Sequence, residues 1–401
     1  MKVIKYTVGI VAVIFFASLA ISLFFCIIYP PDYVYRCLLS GVLGIEYDQI
    51  HLIKASPIPY QFSSGTSAEE IELRERFEEV FFTDNLEAYL QSNKTAAFIV
   101  VQNDRLLYER YFNGYQRDSL LPSHSVTKSL VSALVGIAIS EGKIQSIEEP
   151  ITRYLPELSS LDSRFSDIKI RHLLMMSSGI RFTDYLFFTS DSALTGAHPD
   201  NRYVLLHYPK IIHEPGQNFL YSDYDPQLLG LILERATGMK VANYLETRIW
   251  QLVGMEYDAS WVIDSQVHEF EKMQGGFNGR AIDFVKFGRL FLSNGSWNGT
   301  TILPEPWVME STQDIKPGGA NDYYPKNDGG ISKGLYYQYL WWGINRDSEA
   351  SDFFAMGKYG QMIYISPSTN LIILRFGEGA SKDFDKWYVA ANKFTEQWRN
   401  R

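Results

Sequence analysis

Ser125-Val126-Thr127-Lys128-Ser129-Leu130-Val131-Ser132-Ala133-Leu134-Val135-Gly136-Ile137-Ala138-Ile139-Ser140-Glu141-Gly142 is the stretch from which the rest of this chain can be read. Val126, Leu130, Val131, Leu134, Val135 and Ala138 recur at helical spacing, which predicts a helix over roughly 126–141 closed by Gly142. A serine and a lysine three apart at its start, Ser125 and Lys128, project from one face, a turn from each other. Burial against an apolar core disfavours the charged amine, so such a lysine gives up its proton more easily. A neutral amine beside a hydroxyl activates it as a nucleophile. The helix N-terminus adds backbone N–H groups where negative charge would develop. Alone, the spacing describes an N-terminal helix serine and a solvated lysine equally well.

Outward from this helix, the chain alternates in a way that fixes its class. Upstream, Glu69 to Leu90 is amphipathic and reads as helix. Ala96 to Val101 is a strand, Asn103-Asp104 a turn, and Leu106 to Tyr111 its hairpin partner. Downstream, apolar helices are expected near His172–Met176, Pro226–Ala236 and Ala281–Leu292. Strands Gln361–Ser366 and Leu371–Phe376 and a helix over Asp385–Trp398 close the chain. This predicts an α+β fold: an antiparallel sheet flanked by helices, with a mostly helical second region over one side and the active site between them.

Two more segments carry candidate chemistry. Tyr221-Ser222-Asp223 follows a loop and precedes an apolar helix. A tyrosine there can relay a proton between Lys128, Ser125 and a leaving group, and Asp223 can hold the lysine or a substrate amide. In Ala355-Met356-Gly357-Lys358-Tyr359-Gly360-Gln361, the glycine at 357 lets a substrate approach a strand edge. The backbone N–H of Lys358 would then join that of Ser125 as an oxyanion hole. An ordinary loop with a packed tyrosine, and a glycine-bearing bulge at a strand start, describe the same two segments.

Composition removes other function classes. The 401 residues carry a formal net charge of −9 and no basic run, which argues against nucleic-acid binding. There is no G-x-S-x-G elbow and no H-E-x-x-H helix, and the seven histidines are scattered, so no metal site is expected. The cysteines, Cys26 and Cys37, form no zinc spacing.

The three segments together resemble the serine beta-lactamase and penicillin-binding-protein superfamily, most closely its class C-like branch, which includes DD-peptidases, esterases and 6-aminohexanoate-dimer hydrolase. Ser125 and Lys128 match S-x-x-K, Tyr221 matches the tyrosine of Y-x-N, and Ala355-Met356-Gly357 falls at K-T-G or H-x-G. The likeness spans about residues 75–400 and includes Leu173-Leu174-Met175-Met176-Ser177-Ser178-Gly179-Ile180 and Gly275-Gly276-Phe277-Asn278. It implies an acyl-enzyme on Ser125, cleavage of an amide or ester, and no metal or organic cofactor. Asp223 stands where beta-lactamases have asparagine, and Ala355 and Met356 remove the cation that meets a beta-lactam carboxylate. These departures favour linear amides and esters over beta-lactamase or DD-carboxypeptidase activity. Likeness to that branch also places Tyr185 and Asn278 at the substrate pocket. A catalytically silent, membrane-tethered binding protein on the same fold is the reading outside the enzyme class.

The N-terminus predicts a membrane partner. From Tyr6 to Pro31 no residue is charged, and Gly9–Ile28 reaches the ~20 residues needed to cross a bilayer. Lys2 and Lys5 precede it, which places the large domain outside the cytoplasm, in a bacterial envelope by the family likeness. A cleaved signal peptide ending near Ser18-Leu19-Ala20 is the rival, giving a secreted protein. The expected units are an anchor over 1–31, a linker over 32–70 and a hydrolase domain over 71–401.

Overall fold

The computed structural model describes residues 26–43, 49–184, 189–313, 335–344, 351–379 and 385–399. In chain order, helix α1 (Pro31–Leu43) and strand β1 (Gln49–Ile53) precede helices α2 (Ser67–Phe81) and α3 (Leu86–Ser92) and the hairpin β2 (Thr95–Gln102) and β3 (Arg105–Tyr111). Strand β4 (Leu121–Pro122) leads through a 3-10 turn, His124–Val126, into helix α4 (Thr127–Ser140). Then come helices α5 (Ile170–Leu174), α6 (Asp191–Ala197) and α7 (Tyr224–Thr237), strands β5 (Ala259–Ile263) and β6 (Phe277–Gly279), and helix α8 (Ala281–Leu292). Strands β7 (Leu335–Gln338), β8 (Trp341–Ile344), β9 (Asp352–Gly357), β10 (Gln361–Ser366) and β11 (Leu371–Gly377) and helix α9 (Asp385–Arg399) finish the chain.

The main sheet runs β7-β8-β9-β10-β11-β2-β3, each neighbouring pair antiparallel, with Ser63–Ser64 added in parallel beside β3. Strand β2, from early in the chain, pairs with β11, from its end. The two-residue side-chain period explains why β2 is apolar from Ala96 to Val101. Ala97, Ile99 and Val101 enter the core shared with α4 and α8, whereas Phe98 and Val100 enter the core shared with α2 and α9. On that second side Phe77 of α2 stacks on Phe394 of α9, with ring centroids 3.9 Å apart. Full burial of such a ring stabilises by roughly 1.5–3 kcal/mol. A smaller antiparallel sheet, β1-β5-β6-β4, leads through β4 into the His124–Val126 turn.

The expected helix over Glu69–Leu90 is two. Phe82 takes a left-handed conformation (φ 53°) that ends α2, and Asn85 accepts a hydrogen bond from the Ala88 N–H at 2.9 Å to cap α3. The stretch 32–70 is more than a lead-in. In α1, Tyr33 and Val34 are buried and Arg36 donates to the Asp264 carbonyl, while β1 pairs with β5. Cys37 lies on the same helix, and burial pushes its thiol pKa up, a push the Tyr33 hydroxyl partly offsets. Most of the predicted membrane segment lies outside the described residues, of which only Cys26–Ile28 belong to it. Among the described residues, no helix is long and apolar enough to cross a membrane.

Candidate active site

Ser125 is held by its neighbours' hydrogen bonds. The Ser123 N–H donates to the Phe277 carbonyl at 3.0 Å, and the Phe277 N–H donates to Thr127 Oγ1 at 3.2 Å. Strand β6 therefore grips the turn on both sides of the serine. His124, directly before it, sits in the left-handed region (φ 47°), a conformation that costs a β-carbon-bearing residue energy and persists where packing dictates it.

Lys128 lies one turn into the helical path and is only 2% exposed. Its ammonium donates to Ser125 Oγ at 3.0 Å and to the Gln274 carbonyl at 2.6 Å. It stands 3.3 Å from Asp223 Oδ1 and 4.9 Å from the centre of the Tyr221 ring. The sequence predicts a lysine that burial deprotonates, and the structure reverses that sign. Burial does push the Lys128 pKa down, but Tyr221 and the Asp223 carboxylate outweigh it and leave the amine above its ordinary value.

Tyr221 and Asp223 reach Lys128 from the helical region. Their loop is tied down along the segment after α5: the Gly216 N–H donates to the Ser177 carbonyl at 2.7 Å, and the Leu220 N–H to the Met176 carbonyl at 2.8 Å. Gly179 is left-handed (φ 76°), and a β-carbon there would stand 2.1 Å from the His213 carbonyl oxygen, so only glycine fits. Asp223 directly precedes α7, where the helix's positive end favours a carboxylate.

Gly357 is glycine for space. Its backbone is extended, and an added β-carbon would lie 2.6 Å from the Ser123 oxygen and 3.0 Å from the Ser125 nitrogen. The end of β9 thus lies against the turn that carries Ser125. Lys358 follows as the first residue of the tight β9–β10 turn, which takes the place of the bulge the sequence allowed. Tyr359 (φ 66°) and Gly360 (φ 75°) complete that turn, and the buried Arg375 guanidinium donates to the Tyr359 carbonyl. Lys358 and Lys128 also act on His124. Burial first, and then these two ammonium groups, push its pKa down to about 4, so the imidazole is neutral. Its ring meets Tyr359 at 5.2 Å.

Asn278 lies on β6, where its amide donates to Ser260 Oγ at 3.4 Å in the neighbouring strand, and no described contact joins it to Lys128. Tyr185 falls outside the described residues. Sequence reasoning missed Gln274, which contributes through its carbonyl. The signal was the following Gly275-Gly276: a β-carbon at 275 would come within 3.3 Å of the His124 backbone. It also missed an aromatic group beside Tyr221, formed by Phe219, Tyr337 and Trp342.

The chain is similar to known proteins in sequence and in fold. Residues 82–391 match the Beta-lactamase family. A 6-aminohexanoate-dimer hydrolase from Paenarthrobacter ureafaciens is 26% identical over 318 residues, covering 76% of this chain and 78% of the relative. Esterase EstB from Burkholderia gladioli is 27% identical over 179 residues, covering 40% of this chain and 45% of that one. In fold, a Bacillus anthracis protein provisionally described as a 6-aminohexanoate-dimer hydrolase superposes with a TM-score of 0.71 at 24% identity, over 91% of this chain and 94% of its own. A class C beta-lactamase superposes with a TM-score of 0.61 at 14% identity, over 83% and 98%.

Proposed function

The chain belongs to the beta-lactamase family, and from that premise we propose that it cleaves an amide or ester through an acyl group carried on Ser125. The observation that carries this reading is the 3.0 Å hydrogen bond from Lys128 Nζ to Ser125 Oγ, inside one cluster with Tyr221 and Asp223. Ser125 Oγ attacks the carbonyl carbon, and the Ser125 and Lys358 N–H groups take the charge that grows on its oxygen. The serine proton must reach the leaving group as the old C–N or C–O bond breaks. Lys128 Nζ, hydrogen-bonded to Oγ, and the Tyr221 hydroxyl carry that proton between them from Oγ to the leaving group. Water then releases the acid by the reverse shuttle.

Linear amides and esters are the proposed substrate class. Ala355 and Met356 put no cation on that part of β9 to meet a beta-lactam carboxylate. Two relatives are named as a dimer hydrolase and an esterase, which supports the same choice. The apolar run Gly9–Ile28 supports attachment to a membrane with the catalytic part outside the cytoplasm, and cell fractionation tests that.

The mechanistic test mixes the full-length protein with a short-chain p-nitrophenyl ester, recording nitrophenol release and intact mass. Ser125→Ala is expected to abolish both release and acyl adduct, and Lys128→Ala to abolish turnover with the fold retained. Equal release from the parent and Ser125→Ala would overturn the assignment of the nucleophile.

A further inference from the structure

Tyr221 sits on a loop, yet a shuttle needs its hydroxyl fixed to within a fraction of an ångström of two partners. The strands supply a candidate support. Trp342 of β8 lies 6.2 Å from the Tyr221 ring with the planes 27° apart. Tyr337, its cross-strand partner in β7, meets Trp342 edge-on at 4.8 Å and Tyr221 at 6.1 Å.

Behind Trp342 the rings continue across the sheet in register. Trp342 is opposite Phe354 of β9, and Phe354 is opposite Tyr364 of β10. Their planes are nearly parallel: 11° between Trp342 and Phe354 at 6.5 Å, and 12° between Phe354 and Tyr364 at 5.9 Å. Tyr388 of α9 stacks on Phe354 at 4.9 Å, and the Tyr364 hydroxyl donates to Asp352 Oδ2 at 2.5 Å.

The tip of the same hairpin is tied to the nucleophile helix. Ser129, next to Lys128, donates from Oγ to the Leu340 carbonyl at 2.8 Å, and the Leu340 N–H donates to the Leu174 carbonyl at 3.0 Å. One hairpin therefore touches the helix that carries Lys128 and the ring of Tyr221.

We infer that Trp342 is a positioning residue for Tyr221: the ladder Trp342–Phe354–Tyr364 and the Ser129–Leu340 tether set the distance between the relay hydroxyl and the Ser125–Lys128 pair. This rests on the acyl-enzyme reading above. Its mark is dependence on the Tyr221 hydroxyl, which a residue that merely packs or merely touches substrate does not have.

The experiment is a double-mutant cycle in the full-length protein with p-nitrophenyl butyrate, reading kcat and KM for Trp342→Leu, Trp342→Phe, Tyr221→Phe and the Trp342→Leu/Tyr221→Phe pair. Trp342→Leu is expected to lower kcat ~10–100-fold, less than the ~10²–10⁴-fold that outright loss of a proton-transfer group costs, with KM moved less than ~3-fold. Trp342→Phe, which keeps a ring, stays within ~3-fold of the parent. In the Tyr221→Phe background Trp342→Leu adds less than ~2-fold. An equal loss in both backgrounds, a change confined to KM, or no loss at all overturns the inference. Should Trp342→Leu fail to fold by circular dichroism, Phe354→Leu, one ring further back, serves in the same cycle with the same expected dependence on Tyr221. A Ser125→Ala protein that keeps the parental rate would overturn the acyl-enzyme reading instead, and that parallel control distinguishes the two failures.

Discussion

Asp223 changes what Lys128 is able to do. An uncharged amide at that position would leave burial to lower the lysine pKa with less opposition, whereas the carboxylate 3.3 Å away helps hold the proton on. Asp223→Asn is therefore expected to lower the Lys128 pKa and to move the limb of the kcat/KM profile that reports Lys128 toward lower pH. A profile measured on the p-nitrophenyl ester that does not move would separate the two groups. Ser125, Lys128, Tyr221 and Asp223 were legible because each belongs to a short local pattern. The sign of the Lys128 shift was not, since it depends on a carboxylate brought from another loop. Gln274 and His124 were equally hidden: one contributes a carbonyl, which every residue has, and the other a backbone twist that no residue type announces.

Helix α7 carries a second acid whose behaviour differs from that of Asp223. Asp225 is fully buried, accepts from Ser178 Oγ at 2.7 Å, and has no described partner for its other oxygen. Burial pushes its pKa up to about 8, so the folded protein keeps a proton that the unfolded chain releases near 3.8. The native state thus binds more protons across that window, and stability falls as pH rises from about 4 to about 8. Asp225→Asn removes this dependence, and its Tm relative to the parent is expected to rise between pH 5 and pH 8. Parallel Tm curves would show that Asp225 does not titrate there. Helices α4, α7 and α8 were readable from their 3.6-residue period and β2 from its apolar run bounded by turn residues. The hairpin β7–β8 was not, because Leu335-Tyr336-Tyr337-Gln338 and Trp341-Trp342 show neither period. Both faces of β7 are buried, which erases the alternation a half-exposed strand shows.

The molecule as a whole closes over long sequence distances. Strand β1 covers the edge of β5, and α1 buries Tyr33 and Val34 beside it. A protein that begins at Lys54 is expected to melt about 5–10 °C below one that begins at Tyr29, because it loses a paired strand and several buried side chains. Equal Tm values, read by calorimetry, would mean that residues 29–53 are only a connection. The larger closure is that of β2 with β11, in which Thr95 is opposite Gly377 and Gln102 is opposite Leu371. During synthesis β2 leaves the ribosome long before its partner exists, so the sheet that supports Ser125 stays open until nearly all the chain has been made. For most of its birth the polypeptide is then an unlocked, inactive chain with an apolar strand on offer. That interval is open to a chaperone, and it ends when the last strand arrives.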